Sequence, residues 1–356
     1  IHGGGNVFGS AGECCVEDLA RKANIVIVVV QYRLGVLGFF THPALRADSN
    51  DIEDSGNFGL LDQIKALRWT KQNIASFGGN PFNVTIGGHS AGGHDVAQLT
   101  ICPLANGLFH RAFDQSGGWL AQSRYSIDET ATRTITYALM SDDKVNDPLE
   151  AERLLHKMPS SRIVSMLRSV PAKELLHAHN CHTDNSFPVW AFVIEDGVVI
   201  PGPLFRVIES GRYSRVPTMI TFTKTESGSD HIAIGPLYPG MADYRRLMEV
   251  ARGDTDLDAV LPTERDRLLW LKARHYGSCF YRVLADEHAR RLRMHQDNVY
   301  VSSFNWGWEP VNPSDVEFIF GACHCIDLPF LFGSLDREET WKGFGPMFNE
   351  FSDINL

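Results

Sequence analysis

The sequence has few cysteines, no long apolar run and no excess of basic residues, and each shortage excludes a class of protein. Its seven cysteines are an odd number without a CxxC pair, which argues against a disulfide framework and against a zinc site built on paired cysteines. The longest aliphatic run, residues 25–30, is far shorter than the roughly 20 residues that cross a bilayer. A net charge of -10 opposes binding to a phosphate backbone. We therefore expect mostly free thiols, no membrane span and no nucleic-acid partner.

What the sequence does contain is an alternation of β-rich and helical segments. Five runs are predicted strands: 25–33, 84–89, 110–115, 218–223 and 299–304. The first of them, IVIVVVQYR, is so apolar that we expect burial on both faces. Between the first two runs, residues 59–74 place apolar side chains at helical spacing, as a crossover helix does. The pattern predicts an α/β fold with a mostly parallel central sheet and helices on both faces.

Further helices are predicted in an insertion from about residue 126 to 180. Its amphipathic segments are residues 129–140, 148–157, 160–167 and 172–179. Helices inserted between the strands of an α/β sheet often cover the site at the strand ends. We expect this insertion to be either a cap that shapes substrate binding or a plain part of the scaffold.

The strongest local motif is Gly-His-Ser-Ala-Gly at residues 88–92, between a predicted strand and a predicted helix. In a GxSxG turn the serine occupies a tight strand-to-helix elbow, and the glycines are needed because a Cβ would clash with the backbone. Ser90 is therefore the candidate nucleophile.

A second motif, His-Gly-Gly-Gly at residues 2–5, complements the first. Main-chain N–H groups can converge on an oxyanion only where side chains do not crowd the approach, and lipases and esterases use this arrangement. Gly4, Gly5 and Ala91 are the predicted donors of an oxyanion hole.

These motifs resemble the type-B carboxylesterase family, which includes para-nitrobenzyl esterases, liver-type carboxylesterases and cholinesterases. The matching stretches cover most of the first third of the chain: IHGGGNVFGS (1–10), QYRLGVLGFF (31–40), GNFGLLDQIKALRWTKQNIASFGGNP (56–81), VTIGGHSAGG (84–93) and GLFHRAFDQSGG (107–118). Beyond them the resemblance is limited to short segments. It implies an α/β-hydrolase fold with helical cap insertions.

We expect a single α/β-hydrolase catalytic domain over residues 1–356. The chain begins at Ile1-His2-Gly3 without Met or a signal peptide, and its last ten residues show no domain-closing pattern. The expectation is a domain that lacks its N-terminal strands and its C-terminal end. The sequence does not predict the compartment or the oligomeric state.

A nucleophilic serine needs a base held by an acid, and in this fold the order along the chain is serine, acid, histidine. The segment KTESG at 224–228 follows a predicted strand and resembles the family's acid segment, which gives the acid role to Glu226. The match is imperfect, since Thr223 and Thr225 stand where the family has Asn and Asp. Asp230 therefore remains an alternative acid.

For the base, residues 320–333 resemble the family's histidine loop, in which a small residue, an acidic residue and a Phe-Gly pair follow the catalytic histidine. This resemblance assigns the base to His324, with an idle surface histidine as the alternative. Cys323 and Cys325 flank it, but alternate residues of an extended segment point to opposite sides, so no metal site is expected there.

Two positions depart from the family pattern. His89 replaces the Glu that usually precedes the nucleophile, and Cys325 replaces the Gly that commonly follows the base. An imidazole in place of a buried carboxylate makes a preference for cationic, choline-like esters less expected. His89 is expected to point away from Ser90 rather than compete as a base. His89 and Trp119 are candidate pocket residues, with core packing as the alternative for Trp119.

The sequence therefore predicts a serine carboxylic-ester hydrolase that acts on a small-molecule ester through an acyl-enzyme and needs no metal or organic cofactor. Amidases, thioesterases and lactonases use the same triad and remain alternatives. A non-catalytic relative that binds a partner is a further interpretation, although such proteins typically lose the nucleophile.

Overall fold

A computed structural model of the chain describes residues 1–13, 16–46, 51–118, 120–141, 145, 147–180, 190–228, 244–251, 253–306 and 314–334. The strands of these residues are β1 (Thr85–His89), β2 (Arg111–Gln115), β3 (Gln122–Ser123), β4 (Ile194–Glu195), β5 (Thr218–Thr223) and β6 (Val299–Phe304). The main sheet has the order β1-β2-β5-β6 and all of its pairings are parallel. A separate parallel pair joins β3 and β4. Four of the five predicted strands are thus present, two of them with identical bounds.

Helices flank the sheet on the pattern that the sequence predicts. They are α1 (Glu17–Ala23), α2 (Gly35–Gly38), α3 (Phe58–Asn73), α4 (Ala91–Ile101), α5 (Arg124–Ser141), α6 (Pro148–Lys157), α7 (Ser160–Ser169), α8 (Ala172–Asn180), α9 (Leu204–Glu209), α10 (Tyr244–Ala251), α11 (Leu257–Val260), α12 (Glu264–Leu292), α13 (Asp315–Ile319) and α14 (Leu328–Phe332). Among these helices, none combines the length and apolar character that crossing a membrane requires.

The main core lies between the sheet and the helices α3, α4, α9 and α12. Leu60 and Ile64 of α3 are almost fully buried in one apolar cluster with Val96 of α4 and Ile220 of β5. This arrangement follows from the predicted helical spacing, which puts the apolar side chains of α3 on one face. Because the strands are parallel, their carboxyl ends meet at one edge of the sheet, and the loops after β1, β2 and β5 begin there.

The predicted strand at residues 25–33 is wrong. The structure assigns no strand to it, and no described strand pairs with it. Its apolar side chains are also not buried on both faces, since Ile25 is 50% exposed and Val26 is 45% exposed. Only from Tyr32 onward does the segment enter the core. A continuous apolar run shows a preference for burial, but burial also requires neighbouring elements, which the run itself does not encode.

The four helices predicted between 126 and 180 are present as α5 to α8, with α5 beginning earlier than expected. They share a second apolar cluster with Val36 and Phe40, separate from the main core. The 29-residue helix α12 was not predicted, although a capping box marks its start: Thr263 and Asp266 each accept the other's main-chain N–H. Among the described residues, Cys102 and Cys279 are free thiols.

Candidate active site

Ser90 lies in a sharp turn between β1 and α4. Its φ of 58° and ψ of -121° form a conformation that non-glycine residues rarely adopt. The Ser90 N–H donates to the Gln115 carbonyl at 2.9 Å, and its own carbonyl accepts from the His94 N–H at 3.0 Å. A Cβ on Gly88 would lie 2.2 Å from the carbonyl oxygen of Gly92, so glycine is required in the turn. The backbone therefore fixes Ser90 at the end of the sheet.

The glycine loop, residues 2–5, lies directly against this turn. A Cβ on Gly3 would come within 3.1 Å of the Ser90 Cβ and 2.8 Å of the His89 carbonyl oxygen. Ala91 begins α4 immediately after Ser90. The structure thus brings together the two segments that carry the predicted oxyanion-hole donors.

Trp190 packs against the same loop and was not singled out from the sequence. A Cβ on Gly5 would lie 1.3 Å from an atom of the Trp190 ring, and the Ala191 N–H donates to the Gly5 carbonyl at 3.0 Å. Phe8 is a further neighbour, with its ring centroid 6.0 Å from that of Trp190. An isolated tryptophan far along the chain carries no sequence signal of such a contact.

A buried hydrogen-bond network anchors the glycine loop to the core, and sequence reasoning missed it. The Tyr32 hydroxyl donates to the His2 carbonyl at 2.8 Å and lies 3.0 Å from the Asn6 side-chain oxygen. The Asn6 amide donates to Asp95 Oδ1 at 3.1 Å, and the Gln63 amide donates to Asp95 Oδ2 at 2.5 Å. Burial raises the pKa of Asp95 to about 6, against the effect of these two hydrogen bonds. The sequence feature that could have pointed to this network is Asp95 itself, a carboxylate about one helical turn after Ser90.

The predicted acid and base meet in a partly buried, hydrogen-bonded pair. His324 Nδ1 lies 2.5 Å from Glu226 Oε2. The main-chain N–H of His324 also donates to the main-chain carbonyl of Glu226 at 3.2 Å. The Glu226 side chain is fully buried, and its other oxygen accepts the Thr223 N–H at 2.6 Å. Because Nδ1 contacts the carboxylate, Nε2 is the ring nitrogen of His324 that could accept a proton from a nucleophile.

Thr225, one of the positions that departs from the family pattern, joins the acid and histidine segments. Its N–H donates to the Ala322 carbonyl and its hydroxyl donates to the Phe320 carbonyl, both at 3.0 Å. The substituted residue therefore takes part in holding the two segments together.

Gln115 connects the Ser90 turn with the loop that carries His324, and the sequence did not single it out. Its main-chain oxygen accepts the Ser90 N–H, while its side-chain amide donates to Asp327 Oδ2 at 2.7 Å. Burial is the main reason that the pKa of Asp327 rises to about 6. One residue at the end of β2 thus contacts both halves of the site.

His89, Cys325 and Tyr281 surround the His324 ring. The His89 and His324 ring centroids are 4.5 Å apart, and the Tyr281 ring, carried by α12, lies 5.6 Å from His324. Cys325 Sγ lies 3.9 Å from His89 Nδ1. Burial, followed by the proximity of His324, holds the pKa of His89 well below its ordinary value, so its imidazole is neutral at neutral pH.

Two residues considered from the sequence, Trp119 and Asp230, lie outside the described residues. Within the part of the chain that the structure describes, one group of side chains has the composition and spacing of a metal site. It consists of His89, His324 and Cys325, whose ligand atoms all lie within 4.8 Å of one another.

Comparison with known proteins identifies relatives over most of the chain. Residues 1–245 match the carboxylesterase family. The cocaine esterase of Homo sapiens is 36% identical over 228 residues, which are 64% of this chain and 36% of that protein. The acylcarnitine hydrolase of Rattus norvegicus is 32% identical over an alignment 357 positions long, which covers 94% of this chain and 57% of that protein.

Solved structures of esterases resemble this chain in fold. A PNB esterase aligns with a TM-score of 0.68 and 26% identity over 96% of this chain and 64% of its own. A carboxylesterase of Geobacillus stearothermophilus aligns with a TM-score of 0.66 and 27% identity over 94% of this chain and 65% of its own. These likenesses confirm the predicted α/β-hydrolase fold. The chain spans less than two thirds of the length of each of these relatives.

Proposed function

The chain belongs to the carboxylesterase family, and on that premise we propose that it is a serine carboxylic-ester hydrolase acting on small-molecule esters. The observation that carries the proposal is the partly buried Glu226–His324 hydrogen bond, which joins residues 98 positions apart beside the Ser90 turn. A carboxylate in this position fixes the imidazole tautomer and stabilises the imidazolium that forms during acyl transfer.

In the proposed mechanism, Ser90 Oγ attacks the ester carbonyl carbon while His324 Nε2 takes the hydroxyl proton. Glu226 stays ionised and holds the imidazolium through Nδ1. The tetrahedral intermediate then collapses, the ester C–O bond breaks, and His324 returns the proton to the departing alcohol. Water repeats these steps on the acyl-enzyme and releases the acid.

The amides of Gly4, Gly5 and Ala91 are the proposed donors to the oxyanion of the intermediate. The contact between the glycine loop and the Ser90 turn supports this role, because both segments approach without intervening side chains. Removing one such donor costs on the order of 100- to 1000-fold in rate in known cases. The Tyr32–Asn6–Asp95 network would keep these amides in place before substrate arrives.

We also propose one catalytic domain over the chain, with the helices between 126 and 180 as a cap over the site. Leu176 of α8 lies 3.7 Å from the Cβ position of Gly35 in α2, and the Gly35 N–H donates to the Asn6 carbonyl at 2.6 Å. The cap thus contacts α2, which is hydrogen-bonded to the residue that directly follows the glycine loop. A neutral His89 beside the base favours uncharged over cationic esters.

Covalent labelling tests the proposal. A nitrophenyl phosphonate should add one phosphonyl group to the wild-type protein, detected by intact mass, and should abolish hydrolysis of short-chain nitrophenyl esters. Ser90→Ala should take up no label, whereas Ser123→Ala, at an exposed serine in β3, should label normally.

Failure of folded wild-type protein to label or to hydrolyse any ester would favour a non-catalytic binding protein. Faster turnover of amides, thioesters or lactones than of matched esters would assign a different acyl hydrolase to the same residues.

A further inference from the structure

His89 and Cys325, two residues beside the proposed base, are neighbours in space. They are 236 residues apart in sequence, yet Cys325 Sγ lies 3.9 Å from His89 Nδ1. Both adjoin His324, one through its ring and the other as the next residue. A second imidazole and a thiol thus lie beside the proposed base.

Imidazole nitrogen and thiolate sulfur are preferred ligands of Zn²⁺. Tetrahedral zinc, with bonds of about 2.0–2.1 Å to nitrogen and about 2.3 Å to sulfur, places its ligand atoms roughly 3.3–3.8 Å apart. The ligand atoms of His89, His324 and Cys325 all lie within 4.8 Å of one another. Small side-chain rotations therefore suffice to bring the three onto one ion, with the fourth position open to water.

His89 also has an unsatisfied ring nitrogen, Nε2, which is not the Nδ1 that lies near Cys325. The residue is only 7% exposed, and its Nε2 has no hydrogen-bond partner. A buried polar group without a hydrogen-bond partner is rare in folded proteins, so its presence calls for an explanation. Cys325 has a φ of 76°, a strained conformation for a residue with a side chain. Folds usually retain such costly features where the side chains have a function.

Glu226 completes the arrangement by hydrogen-bonding His324 Nδ1 at 2.5 Å. Histidine ligands of metals commonly donate their other ring N–H to a carboxylate, which fixes the ring and raises its basicity. The contact that would prepare His324 Nε2 for a proton would prepare it equally well for a cation.

We propose that His89, His324 and Cys325 form a binding site for a thiophilic divalent cation of the Zn²⁺ class, and that its occupation reversibly blocks hydrolysis. On binding, Cys325 loses its thiol proton to solvent and both imidazoles coordinate in the neutral form. His324 Nε2 cannot then accept the proton of Ser90. The inhibitory consequence rests on the proposed function, whereas cation binding itself does not.

Cobalt provides a readout that does not depend on activity. Chelator-treated protein titrated with Co²⁺ should develop thiolate-to-cobalt charge-transfer absorption that saturates at one equivalent and disappears on addition of Zn²⁺. Cys325→Ser and His89→Gln should lose this band, and Ser90→Ala should keep it. Cys279→Ser is the matched control, because Cys279 lies 3.6 Å from the His275 ring in α12 but outside the three-residue group.

Zn²⁺ inhibition of ester hydrolysis gives the second arm, with each variant normalised to its own metal-free rate. Removal of a ligand should raise the half-inhibitory Zn²⁺ concentration at least about tenfold in Cys325→Gly, and Cys279→Ser should leave it unchanged. Glycine is chosen because it accepts the positive φ at this position, so a folding defect is not expected.

The outcomes separate the two proposals. An active, phosphonate-labelled protein without the charge-transfer band, or a band that survives both Cys325→Ser and His89→Gln, would overturn the metal site. A band that depends on Cys325 in a protein that neither labels nor hydrolyses esters would support the metal site and refute the hydrolase.

Discussion

In the proposed active site, the half that carries the proposed nucleophile Ser90 (the nucleophile half) is shaped by main chain. The half that carries the proposed acid Glu226 and the proposed base His324 (the acid–base half) is held by side-chain hydrogen bonds. In the first half, the Gly88–Gly92 approach and the contact of Gly3 with Ser90 leave no room for a Cβ. In the second half, Glu226 and Thr225 bridge loops through their side chains. We therefore expect substitutions in the nucleophile half to abolish activity or leave it intact, because overlap with backbone atoms cannot be relieved locally. Substitutions in the acid–base half should lower activity by graded amounts.

The largest effect is expected from Gly88→Ala. The new Cβ would lie 2.2 Å from the Gly92 carbonyl oxygen, so the turn at Ser90 cannot form without backbone displacement. We expect loss of phosphonate labelling and of activity, with a free energy of unfolding lower by at least about 3 kcal/mol in urea denaturation. The adjacent Gly87→Ala is the control, because its Cβ would meet only Phe113 at 3.6 Å. Normal labelling of Gly88→Ala would show that the turn tolerates side chains.

Glu226→Gln should come next and should act on turnover rather than on binding. The amide cannot stabilise the imidazolium, and in a known serine hydrolase the equivalent change lowers kcat by about 10⁴-fold. We expect a decrease on the order of 10³- to 10⁴-fold with a much smaller change in KM. Asp230→Asn serves as the comparison and should be mild. The reverse ranking would transfer the acid role to Asp230.

Asp95 tests whether the nucleophile half depends on main chain alone. Its folded pKa of about 6 lies above the ordinary value near 3.8, so the folded state binds more protons between these pH values than the unfolded state. Stability should therefore fall by about 3 kcal/mol in total as the pH rises from well below 3.8 to well above 6, with most of the loss between these two values.

Asp95→Asn removes this ionisation and should flatten the pH dependence of the denaturation midpoint. The side-chain amide of the new Asn can donate to Gln63 Oε1 once the Gln63 side-chain amide flips, since Gln63 Oε1 has no hydrogen-bond partner in the folded protein. Asp297→Asn, at a side chain 98% exposed, controls for loss of one negative charge. An unchanged pH slope in Asp95→Asn would show that Asp95 is ionised at no cost.

The smallest effect is expected at Gln115, where the two halves meet. Gln115→Ala leaves the main-chain contact to Ser90 intact but removes the hydrogen bond to buried Asp327. An unsatisfied buried group costs about 1–3 kcal/mol, and we expect kcat/KM to fall about tenfold. A double-mutant cycle with Asp327→Ala should give a coupling energy of at least about 0.5 kcal/mol. Additive effects would mean that the halves are positioned independently.

The contrast between the halves also explains what the sequence could predict. Gly88, Gly92 and the loop at 2–5 are visible because only glycine satisfies the steric requirement, and the amphipathic helices are visible through their period. The Gln63–Asp95 and Gln115–Asp327 pairs are not visible, since each joins distant residues of ordinary type. The strand predicted at 25–33 was wrong for the same reason: apolar character can be read locally, whereas the partners of a strand cannot.

The exposed run at residues 25–30 has a consequence for the behaviour of this chain in solution. Ile25, Val26 and Val28 are each more than a third exposed, and no charged residue or proline interrupts the run. Short, uncharged segments of high β-propensity are templates for intermolecular strand addition. Association through this run, rather than the folding stability of the core, should therefore limit the concentration that this chain reaches without aggregating.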